Sequence, residues 1–144
     1  MARQGNDAAF SELSRRAERH LRAGMLADYT DDLRRMASVL HEEGKYHDEL
    51  KVRMLDFHVM LNCGDTLPAI DCGLVQLISD ARARSGLSRY EAEEMFLESV
   101  HEDSTPRRLF TPRDSLYILE LCSGGREQEA ENIVGGVRRK VSVI

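Results

Sequence analysis

The stretch HEEGKYHDEL, residues 41–50, gathers side chains that could bind a metal ion or transfer protons. It holds two histidines, three glutamates and one aspartate within ten residues. Histidine nitrogens and carboxylate oxygens are common metal ligands, and they also serve as general acids and bases. The same residues could instead form a polar turn between two helices. The choice decides whether the sequence points to an enzyme or to a binding protein.

A metal site is the first interpretation. Glu98 and His101 form a Glu-x-x-His step, which on a helix places both side chains on one face. His41 and His47 would join them if the turn folded towards that helix. Di-iron carboxylate bundles use two such steps with two further glutamates, and only one step occurs here. These four residues are kept as the alternative metal set, while the main expectation is a protein without a metal or cofactor.

Motifs for nucleophilic catalysis and phosphate binding do not occur in the sequence. There is no Gly-x-Ser-x-Gly elbow and no Gly-x-x-x-x-Gly-Lys loop. Cys63 and Cys72 flank a predicted helix start, where a thiolate would be stabilised, but only His58 lies nearby along the chain as a base. Together with Cys122 they contain no CxxC motif, so we interpret them as reduced, packed thiols. We therefore expect no catalytic residue.

Composition and charge narrow the class of protein. The chain has 144 residues, of which 42% are hydrophobic and 31% charged, a balance that fits one globular domain. Twenty basic and 25 acidic residues give a net charge of −5, which argues against a nucleic-acid surface covering the whole domain. No apolar run is long enough to span a membrane, and the N-terminus lacks an apolar signal core. We expect a soluble cytoplasmic protein with no membrane partner.

Apolar residues recur at spacings of three or four, which predicts helices along most of the chain. The fourth helix is expected to start near Pro68, capped by Asp65 or Thr66, with Leu77 on its inner face. Helix 50–61 is apolar around much of its circumference, so it should be central or form a dimer seam. The expected organisation is a single domain over 1–144, with an N-terminal helix at 7–24, helical hairpins at 26–62, 65–102 and 111–141, and a linker at 103–110.

Three breaks between predicted helices look alike: HEEGKYHDELKVRM, ARSGLSRYEAEEMF and CSGGREQEAENIV. In each, a helix ends at glycine, a polar segment with glutamate follows, and another helix begins. Gly44 and Gly86 are 42 residues apart, and Gly86 and Gly125 are 39 apart. A period of about 40 residues with two helices per unit is typical of α-hairpin repeats.

This repeat favours the second interpretation of HEEGKYHDEL, as an interhelical turn. His41 would lie at a helix C-terminus, where a cation is favourable. Asp48 and Glu49 would lie in the first turn of the next helix, where anions are favourable. Helix ends alone would then explain the charges of the stretch.

Parts of the repeat resemble the tetratricopeptide family. Leu33, Met36, Ala37 and Leu40, followed by EEGKY, resemble that family's first helix and turn, with the small Ala37 at the close-contact position. The segment GGREQEAENIVGGV resembles its second helix, with Ala130 at the small position. The resemblance covers residues 30–50 and 124–137. It implies a protein–protein interaction scaffold with a concave groove and no catalytic residue. A generic α-solenoid and an irregular helical bundle remain alternative folds.

We therefore predict an all-α fold of about seven helices stacked as antiparallel hairpins. The predicted function is a non-catalytic module or adaptor that binds a protein segment or helix in a helical groove. In the family it resembles, the first helices line the concave side. The candidate partner-binding residues are Arg34, Arg35, Gln76 and Asp80, with Arg107 and Arg108 from the predicted linker.

Three alternatives stay open. One is a metal-binding helical-bundle enzyme that uses the metal set named above. Another is a small regulator that contacts nucleic acid through basic clusters, namely Arg107, Arg108 and Arg113, and Arg138, Arg139 and Lys140. A third is a homo-oligomer joined through helix 50–61.

Overall fold

The computed structural model describes residues 2–62, 70–100 and 109–143. Within these residues the secondary structure is entirely helical, which confirms the prediction of an all-α fold of about seven helices. The helices in chain order are α1 (Ala2–Arg22), α2 (Leu26–Glu42), α3 (Tyr46–Asn62), α4 (Cys72–Ser85), α5 (Arg89–Ser99), α6 (Pro112–Ser123) and α7 (Glu127–Val143).

Three turns between successive helices share one backbone geometry. Gly24, Gly44 and Gly125 have φ angles of 73°, 74° and 79°, in the left-handed region where glycine carries no Cβ penalty. The residue after each glycine donates its N–H to a carbonyl five positions earlier, which is the Schellman arrangement. These bonds are Met25 to His20 (2.9 Å), Lys45 to Leu40 (2.9 Å) and Arg126 to Leu121 (2.8 Å). Each turn reverses the chain within three residues, and HEEGKYHDEL is confirmed as such a turn.

The break at Gly86 has a different construction. Gly86 ends α4 with a φ of 73°, but Ser88 then caps α5 through a reciprocal capping box with Glu91. α5 packs on α3 and α6 and has few contacts with α4. The expected likeness of three breaks therefore holds for Gly44 and Gly125 only, and the two described helices of the 65–102 hairpin do not pack along their lengths. Gly24, 20 residues before Gly44, supplies the third copy of the turn.

The α4 helix is observed from Cys72, and its N-cap is Asp71. The Asp71 side chain accepts the N–H of Leu74 at 3.1 Å. The predicted cap and first-turn residues, Asp65, Thr66 and Pro68, lie outside the described residues. Leu77 is 42% exposed, so its predicted inward position is wrong. The buried stripe of α4 is instead centred on Leu74, Val75, Ile78 and Ala81, and Leu77 lies at its edge.

α6 begins where the 111–141 hairpin was expected to begin, with Thr111 as its N-cap. Thr111 accepts the N–H of Asp114 through its hydroxyl, and Asp114 accepts the N–H of Thr111 through its carboxylate. Pro112 occupies the first turn, where its missing N–H costs nothing. Of the predicted linker 103–110, only residues 109 and 110 are described, and they are not helical.

The centre of the fold is α3, which contacts α2, α4, α5 and α6. Leu50, Met54, Phe57 and Leu61 lie in the main core and are at most 4% exposed. On its opposite side Val59 packs in a smaller core with residues of α1 and α2. The predicted central position is confirmed. The alternative that helix 50–61 forms a dimer seam is wrong, because these apolar side chains are buried within one chain.

Candidate functional site

Glu49 of HEEGKYHDEL lies at the centre of a buried ion cluster. This carboxylate is fully buried, and its Oε2 accepts hydrogen bonds from Arg53 Nε at 2.8 Å and Arg84 Nη2 at 2.9 Å. His41 Nδ1 lies 3.2 Å from its Oε1. Burial alone would raise the pKa of Glu49, but the hydrogen bonds and charges of these partners outweigh it and hold that pKa below its ordinary value. A paired, ionised and inaccessible carboxylate is not a general acid or base for a substrate.

The described members of the alternative metal set, His41, His47 and Glu98, are not gathered into one group of possible ligands. His41 faces Glu49, and His47 donates from Nε2 to the carbonyl oxygen of Ser85 at 3.0 Å. Glu98 is exposed near the end of α5, which stops at Ser99, and His101 lies outside the described residues. In the part of the chain that the structure describes, no group of three His, Cys, Asp or Glu side chains could hold a metal ion.

Arg34, a predicted partner contact, instead joins three helices within the protein. Its Nε donates to Asp56 Oδ2, and its Nη2 donates to Asp71 Oδ2, both at 3.0 Å. The same Nη2 lies 3.0 Å from the sulfur of Met60. The guanidinium is partly exposed, but its donors are committed to α3 and to the N-cap of α4.

Asp56 is the buried partner in this cluster. Its side chain is 1% exposed, and its pKa is raised to about 6, mainly because burial disfavours the charged form. The negative charge of Asp71 also raises it, while Arg34 and Arg53 oppose the shift. Burial and the charge of Asp56 together raise the pKa of Tyr29 to about 12.

The other predicted partner residues make local contacts on separate helices. Arg35 pairs with Asp31 one turn away at 3.2 Å, and Gln76 donates to Asp80 at 3.0 Å. All four side chains are exposed. Arg107 and Arg108 lie outside the described residues.

The C-terminal half of α3 carries polar contacts that sequence reasoning missed. His58 Nδ1 and Ser115 Oγ are 2.5 Å apart, and both residues are at most 2% exposed. A histidine beside a serine can activate a nucleophile, but this pair is enclosed in the core, where a substrate has no access. The Asn62 Oδ1 accepts the N–H groups of Leu109 at 2.7 Å and Phe110 at 2.8 Å.

Arg138, which belongs to the second basic cluster, contacts the backbone of α3. Arg138 of α7 donates to the carbonyl oxygens of Met60 and Leu61 at 3.1 and 3.5 Å. These carbonyls are in the last turn of α3, where backbone acceptors lack partners within the helix. Arg138 therefore satisfies a buried helix end, which gives it a structural role independent of any nucleic acid.

A groove with an apolar floor lies between α4, α5 and α6, where α4 and α5 have few contacts with each other. Its volume is about 390 Å³. Leu50 and Met54 of α3 form the floor, and Tyr117, 52% exposed, stands on the α6 side. The remaining apolar lining is Ile78, Ala92, Leu116, Leu119 and Leu121, and the charged rim is Arg82, Arg89, Glu93, Glu120 and Arg126. Of the predicted partner residues that the structure describes, Arg34, Arg35, Gln76 and Asp80, none lines this groove.

The rim charges are unequally paired. Arg89 bridges Glu93 at 3.2 Å and Glu120 at 2.6 Å, which links α5 to α6. Arg126 pairs with Glu129. Arg82 is exposed, and none of the described residues forms an ion pair or hydrogen bond with its guanidinium, although Ser85 Oγ donates to its backbone carbonyl at 2.7 Å. The groove therefore has an apolar interior, and on its α4 side the positive charge of Arg82 has no anionic partner among the described residues.

Comparison with known proteins identified no relative of this chain. No protein-family model matches the chain, and neither a curated protein nor a solved structure matches it. Among the described residues, no helix combines the length and apolar character that a membrane span requires. The tetratricopeptide resemblance and the cytoplasmic location stay predictions, and a functional proposal must start from the geometry of the groove.

Proposed function

We propose that this protein is a non-catalytic interaction module that binds a segment or helix of a partner protein in the groove between α4, α5 and α6. The observation that carries the proposal is the open groove with Leu50 and Met54 at its floor and charged side chains around its rim. Apolar anchors entering a groove, with charged groups setting their register, are a common mode of peptide recognition.

The size of the groove defines what enters it. A helix with its side chains is about 10 Å across, so a volume of about 390 Å³ accommodates a few side chains and not a whole helix. The partner would therefore lie across the opening and insert apolar anchor residues. Tyr117 offers an exposed ring beside the opening, and aromatic rings of this kind commonly contribute to binding hot spots.

The distribution of ionisable groups supports binding over catalysis. Among the described residues, those that line the groove include no histidine, cysteine or aspartate. The buried carboxylates with shifted pKa values, Glu49 and Asp56, do not line it and are paired with arginines. General acid–base catalysis needs a group free to exchange a proton with the substrate, and the two glutamates that line the groove, Glu93 and Glu120, are both paired with Arg89.

A pair of matched tryptophan variants tests this proposal. Ser79 lines the groove and is half-buried on α4, so Ser79→Trp should fill the opening. Ala83, one turn later on the same helix, is exposed and does not line the groove, so Ala83→Trp adds the same side chain elsewhere. Both variants should keep the helical circular dichroism spectrum of the wild type.

The readout is affinity capture from a lysate of the native organism, with mass spectrometry of the retained proteins. We expect a partner that the wild type and Ala83→Trp retain and that Ser79→Trp loses. Cross-linking should then join a segment of that partner to α4 or α6. If all three proteins retained the same material equally, the groove would not be the binding site.

A further inference from the structure

We propose that the partner segment carries a carboxylate that pairs with Arg82, three or four residues from the apolar side chain that enters the groove. This inference rests on the proposed function and adds the chemistry by which the groove selects its partner. It also commits the groove to one kind of occupant, an amphipathic segment with an acidic residue beside its apolar anchor.

The first step concerns the ion pairs of the charged side chains on the rim. Both rim glutamates, Glu93 and Glu120, are already paired with Arg89. Arg126 has Glu129 beside it. Because Arg89 is shared by two glutamates, that group keeps one negative charge on the α5–α6 side of the groove. Arg82, on the α4 side, has no anionic partner among the described residues, so the unpaired charge beside α4 is positive.

The second step is the position of Arg82 relative to the apolar lining. Arg82 follows Ile78 by four residues on α4, so the two side chains share one face of the helix. Both line the groove. A partner helix lying along α4 would face them with two side chains that are also three or four residues apart, one apolar and one acidic.

The third step is specificity against other partners. A carboxylate would be attracted to Arg82, whereas a lysine or arginine at that position would meet Arg82 and lie near Arg89. Charged rim groups of this kind contribute more to register and selectivity than to total affinity. The apolar floor supplies the affinity, and Arg82 determines which apolar segments are accepted.

The experiment is selection of a displayed library of random peptides about 16 residues long, enough for about four helical turns. The targets are the wild type, Arg82→Glu, Ser79→Trp and the control Arg35→Glu. Arg35 is an exposed arginine on α2 that does not line the groove. We expect the wild type and Arg35→Glu to enrich peptides with Asp or Glu three or four residues from a large apolar residue. Arg82→Glu should enrich Lys or Arg at that position instead.

A peptide selected on the wild type should bind Arg82→Glu about tenfold more weakly, as expected for reversal of a largely exposed pair. Enriched peptides with no acidic preference, still lost on Ser79→Trp, would overturn the role of Arg82 and leave the groove as a binding site. Failure of the wild type to enrich any sequence over Ser79→Trp would overturn the proposed function itself.

Discussion

Replacement of Asp56 by asparagine should change how the stability of the protein depends on pH. The pKa of this buried carboxyl is about 6 in the fold, mainly because of burial, against an ordinary value of 3.8. Because the folded-state pKa is the higher one, the folded protein binds the proton more tightly than the unfolded chain between these values. The stability that this group contributes is therefore fully present below about pH 4 and is lost as the pH rises through about 6.

The size of the effect follows from the two pKa values. The shift from 3.8 to about 6 is about two units, and each unit corresponds to about 1.4 kcal/mol, so the loss approaches about 3 kcal/mol. Glu49 acts in the opposite direction. Its pKa is lowered in the fold, so its contribution is present above its unfolded pKa and is lost on acidification. The effect of Asp56 must therefore be measured as a difference between wild type and variant.

Urea unfolding at about pH 4 and about pH 7 measures this difference. The free energy of unfolding of the wild type minus that of Asp56→Asn should fall by about 2–3 kcal/mol between the two conditions, because at pH 4 the unfolded carboxyl is already partly ionised. Asp31→Asn is the matched control, because Asp31 is an exposed aspartate that also pairs with an arginine of α2. Its difference from the wild type should change by less than about 1 kcal/mol. A difference for Asp56→Asn that stayed constant or rose with pH would refute the reasoning, since Arg34 would then outweigh burial.

Three further predictions concern the core and the turns. Phe57→Ala should lower the free energy of unfolding by about 3–5 kcal/mol in urea titrations and leave the sedimentation coefficient of the folded protein unchanged, because Phe57 is 2% exposed within one chain. Glu49→Gln should cost about 3–5 kcal/mol near neutral pH, since Arg53 would keep a buried charge without its partner. A loss below about 1 kcal/mol in thermal unfolding would contradict that role. Gly44→Ala should lower the free energy of unfolding by about 1 kcal/mol or more, because Gly44 has a positive φ. Gly136→Ala should raise the free energy of unfolding by about 0.5–1 kcal/mol, because Gly136 lies within α7 and a Cβ there would meet no other atom. Equal shifts of the melting temperature for the two variants would contradict this prediction.

The features that could be predicted from the sequence are those fixed by a few neighbouring residues. Thr111, Pro112 and Asp114 define the start of α6 through backbone contacts within four positions. Gly44 ends α2 because the required positive φ is a property of that single residue. The central position of α3 could also be predicted from neighbouring residues, because helical spacing alone places its apolar side chains on one face.

The groove and the ion clusters depend on contacts between distant parts of the chain. Arg34 meets Asp56 and Asp71 from 22 and 37 positions away, and no local spacing specifies such a meeting. An arginine on an amphipathic helix is ordinarily exposed, which is why Arg34 was predicted to face a partner. One signal was present. Charged residues at 49, 53 and 56 recur at helical spacing within an otherwise apolar helix, which indicates a buried polar stripe.

The polar contacts of α3 limit how modular this chain can be. Units of a linear helical array contact only their neighbours, so such arrays can be shortened or extended by whole repeats. Here α3 is tied at Asp56 to α2 and at Glu49 to α4, while Asn62 binds the backbone leading into α6. Removing residues 109–143 would deprive the end of α3 of the Leu109 and Phe110 donors and of the Arg138 contacts. α2, α4 and the segment that leads into α6 are therefore energetically coupled through α3, so deletion of one hairpin should also destabilise the helices that remain.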